Sequence, residues 1–255
     1  MTQRLDRELV RRGLARSRTH ARTMISAGQV VVDGSVVERP GDQVSPSATI
    51  EAPADRYVSR GAHKLIGALD DLQLSVAGRA LDAGASTGGF TQVLLERGCQ
   101  QVIAVDVGSG QLAPMLRADS RVRLLERTNL RDLRLDHLGG VPVDLVVADV
   151  SFISLTLLIS PIVSVTRADG WVLLLVKPQF EVGRELLGKD GVVRSPALQA
   201  QVISAVIKAA GVHGWNCVAA VPSRLQGASG NREFFILLRR TESPVHLDLE
   251  ALVKT

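Results

Sequence analysis

Two cysteines, Cys99 and Cys217, are all that the 255-residue chain contains. They are too few for a disulfide scaffold or a cysteine-rich zinc site, and they suit a reducing compartment. No stretch reaches the ~18 consecutive apolar residues that a membrane-spanning helix needs. The best candidates, residues 155–165 and 171–176, are broken by Ser, Thr and Pro or are too short. Arginine and aspartate interrupt the first residues throughout, so no apolar signal core is seen there. These absences point to a cytoplasmic protein with no stable membrane association. Lysine is also scarce, at five residues against 25 arginines. Residues 1–56 hold no aromatic side chain, which excludes base stacking by that part of the chain.

What is present is an ordinary globular composition, 45% hydrophobic and 22% charged, which excludes disorder. The net charge of +4 is modest, but it is unevenly spread. Residues 1–28 carry Arg4, Arg7, Arg11, Arg12, Arg16, Arg18 and Arg22 against Asp6 and Glu8 alone. The rest of the chain is close to neutral. Local clustering of this kind suits a polyanionic partner such as RNA.

The first 55 residues read as a small α+β domain. Apolar positions at helical spacing mark a helix over residues 4–12, and Ser17 caps a second one that Gly28 ends. The pair Asp33-Gly34 marks a hairpin, and Ala52-Pro53-Ala54-Asp55 reads as a linker. The domains are therefore expected at 1–55 and 56–255. In the second, strands and helices alternate, with strands at 80–85, 101–107, 122–126, 143–150 and 171–177. Helices are expected at 62–72, 90–97, 111–117, 153–166 and 196–210. The apolar strand runs are continuous, as in a parallel sheet covered on both faces. Two last strands, 215–221 and 233–239, are joined by a helix-free loop and should be antiparallel.

A glycine loop, Asp82-Ala83-Gly84-Ala85-Ser86-Thr87-Gly88-Gly89-Phe90, follows the first of these strands. It lacks the Gly-Lys-Ser/Thr ending of a P-loop and fits the dinucleotide pattern G-x-G-x-x-G poorly. S-adenosylmethionine is the better match. Asp82 could take up the methionine ammonium, directly or through water. Asp106, beside Val107 at the end of the second strand, could accept from both ribose hydroxyls. Asn129-Leu130 could frame the adenine, and Asp149 closes the pocket at the fourth strand. All lie at strand carboxyl ends, where such sheets bind ligands.

The same edge should gather Asp149, Lys177 and Glu233, with Lys64 supplied by the preceding helix. The order Lys64, Asp149, Lys177, Glu233 resembles the Lys-Asp-Lys-Glu tetrad of FtsJ-type ribose 2′-O-methyltransferases. The words Ser-Arg-Gly-Ala-His-Lys-Leu, Asp-Val-Ser-Phe-Ile-Ser and Val-Lys-Pro-Gln-Phe-Glu resemble the TlyA family in particular. Residues 3–50 are similar to the alpha-L RNA-binding domain of a ribosomal protein. The resemblance implies a Rossmann-like class I methyltransferase domain with a mostly parallel seven-stranded sheet. It implies S-adenosylmethionine as cofactor, no metal, and methylation of ribosomal RNA cytidines at the 2′ oxygen. Lys177 is then the base, because lysine can lose its proton and arginine cannot. Lys64 would supply a neighbouring positive charge, and Asp149 and Glu233 would orient the lysines.

The seven N-terminal arginines, joined by Arg60, are expected to contact RNA phosphates, which set affinity and register more than sequence choice. Phe152 could stack on a base turned out of its helix, or be a core residue of the next helix. Two other classes remain as alternatives. One is a membrane-lytic protein, since TlyA-type sequences often carry a haemolysin label. The other is a catalytically silent ribosome-assembly factor.

Overall fold

The computed structural model describes residues 2–15, 18–53, 56–188, 190–227 and 229–254. Arg16, Ser17 and the 54–55 part of the linker, all singled out above, lie outside them. The chain forms two compact units, Met1–Tyr57 and Val58–Thr255.

The small unit runs β1 (Gln3–Arg4), α1 (Leu5–Arg11), α2 (Arg18–Ser26), β2 (Val31–Val32), β3 (Ser35–Val36), β4 (Gln43–Val44) and β5 (Ile50–Glu51). β2 and β3 form the hairpin around Asp33-Gly34, and β5 pairs on the other side of β2. Leu5, Leu9, Ala21, Met24, Ile25 and Val30 make a core of small and branched side chains. No aromatic ring is needed to fill so small a space.

The large unit begins with α3 (Arg60–Asp71), β6 (Gly78–Ala83), α4 (Gly89–Glu96), β7 (Cys99–Val105), α5 (Pro114–Arg117) and β8 (Val122–Leu125). It continues with β9 (Val143–Ala148), α6 (Ile159–Ser164), β10 (Thr166–Val176), α7 (Pro178–Glu181) and α8 (Pro196–Val212). It ends with β11 (Asn216–Pro222), β12 (Phe234–Arg239) and α9 (Leu249–Leu252). The sheet order is β11-β12-β10-β9-β6-β7-β8. All neighbours are parallel except β12, which runs antiparallel to both β10 and β11. This is the expected seven-stranded, mostly parallel Rossmann-like sheet.

The strands are apolar on both faces because both are covered. Leu81, Ile103, Val146, Leu174 and Ile236 pack with α6, α8 and α9 in one cluster. On the opposite face Phe235 stacks on Phe90 of α4, with ring centroids 6.3 Å apart. Truncating a Leu in such a core to Ala costs about 2–5 kcal/mol.

Three expected boundaries are corrected. The helix expected over 111–117 is only α5, because Pro114 fits the first helical turn and not its interior. The helix expected over 153–166 splits into a 3₁₀ turn at Leu155–Leu157 and the short α6. The fifth strand, β10, starts five residues earlier than Trp171, with an irregularity in its pairing between Thr166 and Trp171.

Candidate active site

Backbone register brings the site together. β10 and β12 pair from Trp171↔Arg239 to Val176↔Phe234, so Lys177 and Glu233 are the next residues on each strand. Asp149 follows Ala148, which pairs with Leu174 of β10 and Ala83 of β6. The reversed direction of β12 is what delivers its first residue, not its last, to this edge. Lys64 comes from α3, whose Gly61 lies so close that a Cβ there would sit 3.6 Å from Asp149 Oδ2.

The four residues form two ion pairs. Lys64 Nζ donates to Glu233 Oε2 at 2.6 Å, and both side chains are nearly sealed, with 10% and 2% exposure. Lys177 Nζ lies 2.6 Å from Asp149 Oδ1 and donates to Ser151 Oγ at 3.0 Å. Gln179 Nε2 donates to the second oxygen of Glu233 at 3.3 Å. Ser151 and Gln179 were not anticipated. Gln179 lies in the word Val-Lys-Pro-Gln-Phe-Glu, where its spacing from Lys177 was the available signal.

Two adjoining cavities open beside these pairs. The larger, about 590 Å³, is lined by Gly84, Ser86, Asp106, Val107, Asn129 and Leu130, together with Asp149 and Phe152. The smaller, about 190 Å³, is lined by Ser59, Ala85, Thr87, Gly89, Phe90 and Lys177 among others. Gly84, Ser86, Asp149 and Ser151 border both. The larger is of the size that holds a cofactor.

The glycine loop is shaped by close contacts. Gly84 has φ +88, and a Cβ on it would lie 2.9 Å from the Asp149 carbonyl oxygen. Gly88 has φ +96, and a Cβ there would reach 2.3 Å from Leu116. Only glycine fits both the backbone and the space. Asp106 accepts from the Ser86 N–H at 2.8 Å and the Gly108 N–H at 2.7 Å, one on each oxygen. Each oxygen keeps a lone pair for a further donor, which suits a ribose diol. Asn129 accepts from the Arg131 N–H at 3.0 Å and so caps the turn that presents Leu130. Glycine cradle, diol acceptor and cavity size together fit an adenosine-bearing cofactor.

Asp82 lies deep in the fold. Its carboxylate is fully buried beneath the loop and borders neither cavity. Thr91 Oγ1 of α4 donates to Asp82 Oδ2 at 2.6 Å, while Oδ1 has no partner among the described residues. Burial pushes its pKa up to about 7, with nearby Asp149 adding to the rise. Of the two expected routes to a ligand ammonium, the direct one does not fit this placement, because the side chain is bonded to Thr91 of α4, and the route through water stands. Phe152 also departs from one of its two readings. It is 91% exposed, outside any core, and its backbone is left-handed at φ +65. Its ring meets Phe180 at 5.0 Å. Both cysteines are buried, with thiols pushed up to about 12 and 11 by desolvation, so neither is a nucleophile.

In the small unit the arginines are organised around two buried acids. Asp6 accepts from Arg4 at 3.1 Å, Arg18 at 3.2 Å and Arg22 at 3.1 Å. Glu8 accepts from Arg11 and Arg12, each at 2.7 Å. Arg12 also donates to the Ala48 and Pro46 carbonyls. The expected row of free phosphate ligands is thus a set of oriented guanidiniums, part of whose donors are internally used. These bonds hold the Asp6 carboxyl well below the usual range and bring Glu8 down to about 2. Arg7 is exposed, and Arg60 in the large unit donates to the Gln226 carbonyl at 2.8 Å.

A doubly wound sheet with one reversed strand, a glycine loop after its first strand and charged residues at its carboxyl edge define a Rossmann-like methyltransferase. Residues 57–240 match the FtsJ-like methyltransferase model and residues 3–50 the S4 domain model. The chain belongs to the FtsJ-like methyltransferase family. It is 52% identical over 240 residues to the 16S/23S rRNA (cytidine-2′-O)-methyltransferase TlyA of Mycobacterium tuberculosis, covering 92% of this chain and 89% of that one. It is 37% identical to Hemolysin A of Brachyspira hyodysenteriae, covering 91% and 97%. A solved structure from Streptococcus thermophilus, which carries a hemolysin designation, superposes with TM-score 0.78 at 37% identity, covering 99% and 94%. Among the described residues, no helix is long and apolar enough to cross a membrane.

Proposed function

We propose that this protein methylates the 2′ oxygen of cytidine ribose in ribosomal RNA, within ribosomal subunits, using S-adenosylmethionine. The observation that carries the reading is the pair of ion pairs, Lys64–Glu233 and Lys177–Asp149, set beside a cofactor-sized cavity. The name of the Mycobacterium tuberculosis relative supports the substrate and the position of the methyl group.

S-adenosylmethionine would be held by the Gly84–Phe90 loop, Asp106, Val107, Asn129 and Leu130, and it supplies an electrophilic methyl group. Asp82 would reach the methionine ammonium through water. A ribose hydroxyl is a poor nucleophile until its proton is removed. Lys177 in its neutral form takes that proton on Nζ. Asp149 and Ser151 fix where Nζ points, which is worth much of the rate because misplacement is costly. The resulting ammonium is matched by the Asp149 carboxylate. Lys64, held by Glu233, adds positive charge that favours the deprotonated oxygen. Phe152 stacks on the displaced base, and Arg60 and the guanidiniums of Arg4, Arg7, Arg11, Arg12, Arg16, Arg18 and Arg22 engage the backbone. We place the division of labour at residue 55, with docking in 1–55 and chemistry in 56–255.

The test is transfer of labelled methyl to ribosomal subunits, followed by mapping of the modified ribose. Incorporation at cytidine 2′ oxygens that is lost in Lys177→Ala supports the reading. Subunit binding without ribose modification would instead mark a silent assembly factor. Undiminished transfer by Lys177→Ala would overturn the assigned base.

A further inference from the structure

The word Val-Lys-Pro-Gln-Phe-Glu ends in a residue that the chemistry above does not use. Glu181 is the last residue of α7, the single turn that Lys177 opens as its N-cap. Both of its carboxylate oxygens are engaged. Oε2 accepts from Ser154 Oγ at 2.6 Å, and Oε1 accepts from the Leu155 N–H at 2.8 Å. The side chain is half-buried, and burial raises its pKa above the ordinary value.

The segment it grips is tied to the sheet at its start, where the Asp149 N–H donates to the Ala83 carbonyl at 3.1 Å and Val150 is buried in the core. Residues 149–154 follow β9 without regular structure, and this stretch carries Asp149, Ser151 and Phe152. Phe152 sits in a left-handed conformation, which a bulky residue keeps only when its surroundings impose it. The two segments meet three times. Lys177 contacts Asp149 and Ser151 at one end, Phe180 meets Phe152 in the middle, and Glu181 holds Ser154 and Leu155 at the other end.

We infer that Glu181 is a positioning residue for methyl transfer, clamping the 149–154 segment so that Phe152 and Ser151 keep a fixed place relative to the Lys177 amine. It touches no reacting atom. It acts by holding the group that stacks on the base and the group that takes the proton in one frame. The inference rests on the proposed methyl-transfer reading.

The experiment compares wild type, Glu181→Ala, Glu181→Gln, Phe152→Ala and the Glu181→Ala/Phe152→Ala double variant. Single-turnover methyl transfer to ribosomal subunits is measured at saturating S-adenosylmethionine, with cofactor affinity and thermal midpoint measured alongside. Glu181→Ala should slow transfer by about 10- to 100-fold, as misplacement of an assembled site does. Its cofactor affinity should change far less. Glu181→Gln should recover most of the rate, because the amide oxygen still accepts from Leu155 and the amide nitrogen can donate to Ser154. The double variant should be little slower than the worse single variant, since both act through one loop. A Glu181→Ala rate equal to wild type, or one reduced only by the unfolded fraction, would overturn the inference. Additive losses in the double variant would do the same. Absence of transfer by wild type would instead overturn the functional reading, and this inference with it.

Discussion

Replacing Lys64 by methionine keeps the side-chain volume and removes one charge from a sealed pair. Glu233, 3% exposed, is left with Gln179 as its one side-chain donor among the described residues. It is then a buried carboxylate without its counter-ion, and removing one member of a buried pair costs about 3–5 kcal/mol. For a folding unit of this size, about 2–4 °C is lost per kcal/mol, so the thermal midpoint should fall by about 6–20 °C. Thermal unfolding of Lys64→Met and Lys64→Met/Glu233→Gln reads this out. The double variant removes both charges of this pair and should recover most of the midpoint, while transfer activity stays lost. A single variant as stable as wild type would refute the reasoning, as would a double variant no more stable than the single.

Three other outcomes are expected. Lys177→Arg keeps the positive charge but not the ability to release a proton, so transfer should fall by about 10²–10⁴-fold with the far-ultraviolet spectrum unchanged. Gly84→Ala brings a methyl against the Asp149 carbonyl in a left-handed backbone and should cost about 1–3 kcal/mol of strain. Calorimetry should show weakened cofactor binding in that variant. In the small unit, the lowered carboxyl pKa values of Asp6 and Glu8 give stability that is present above the ordinary carboxylate range. It is lost as pH falls toward about 2 for Glu8. Hydrogen exchange over α1 and α2 should accelerate relative to intrinsic rates in Asp6→Asn. That variant should also bind RNA more weakly, although it carries one negative charge less, because Arg4, Arg18 and Arg22 lose their common anchor.

Much of the fold could be read from apolar runs. The strands at 80–85, 101–107, 122–126, 143–150 and 171–177 correspond to β6–β10, because doubly covered strands have no polar alternation to hide them. The reversed last strand followed from the helix-free loop before it. The tetrad was legible as residues but not as pairs. Which lysine meets which acid depends on the placement of α3 against the sheet, and helical periodicity does not encode that. Asp82 stands at a strand end, which does not tell whether it meets a ligand directly or through water. Its bond to Thr91, nine residues away, was not legible in the sequence. The arginine cluster looked like free charge because Asp6 and Glu8 were counted as two acids, not seen as the hubs of five guanidiniums. The tail beyond residue 241 is only weakly amphipathic in sequence. It nevertheless places Leu247, Leu249, Leu252 and Val253 against the main core, and Arg232 donates to the Val253 carbonyl.

The sheet order carries a consequence for how the chain is made. β12 is the last strand in sequence, yet it lies between β10 and β11. Lys64 and Glu233 meet across 169 residues of sequence. A polypeptide emerging from its N-terminus holds the arginine-rich unit, the glycine loop, Asp149 and Lys177 long before Glu233 is added. Until then β10 and β11 have no strand between them, and Lys64 lacks Glu233. The centre is completed by the final insertion, as a clasp is closed by its last link. A chain that has not yet reached Glu233 therefore holds Lys177 and Asp149 but not the Lys64–Glu233 pair.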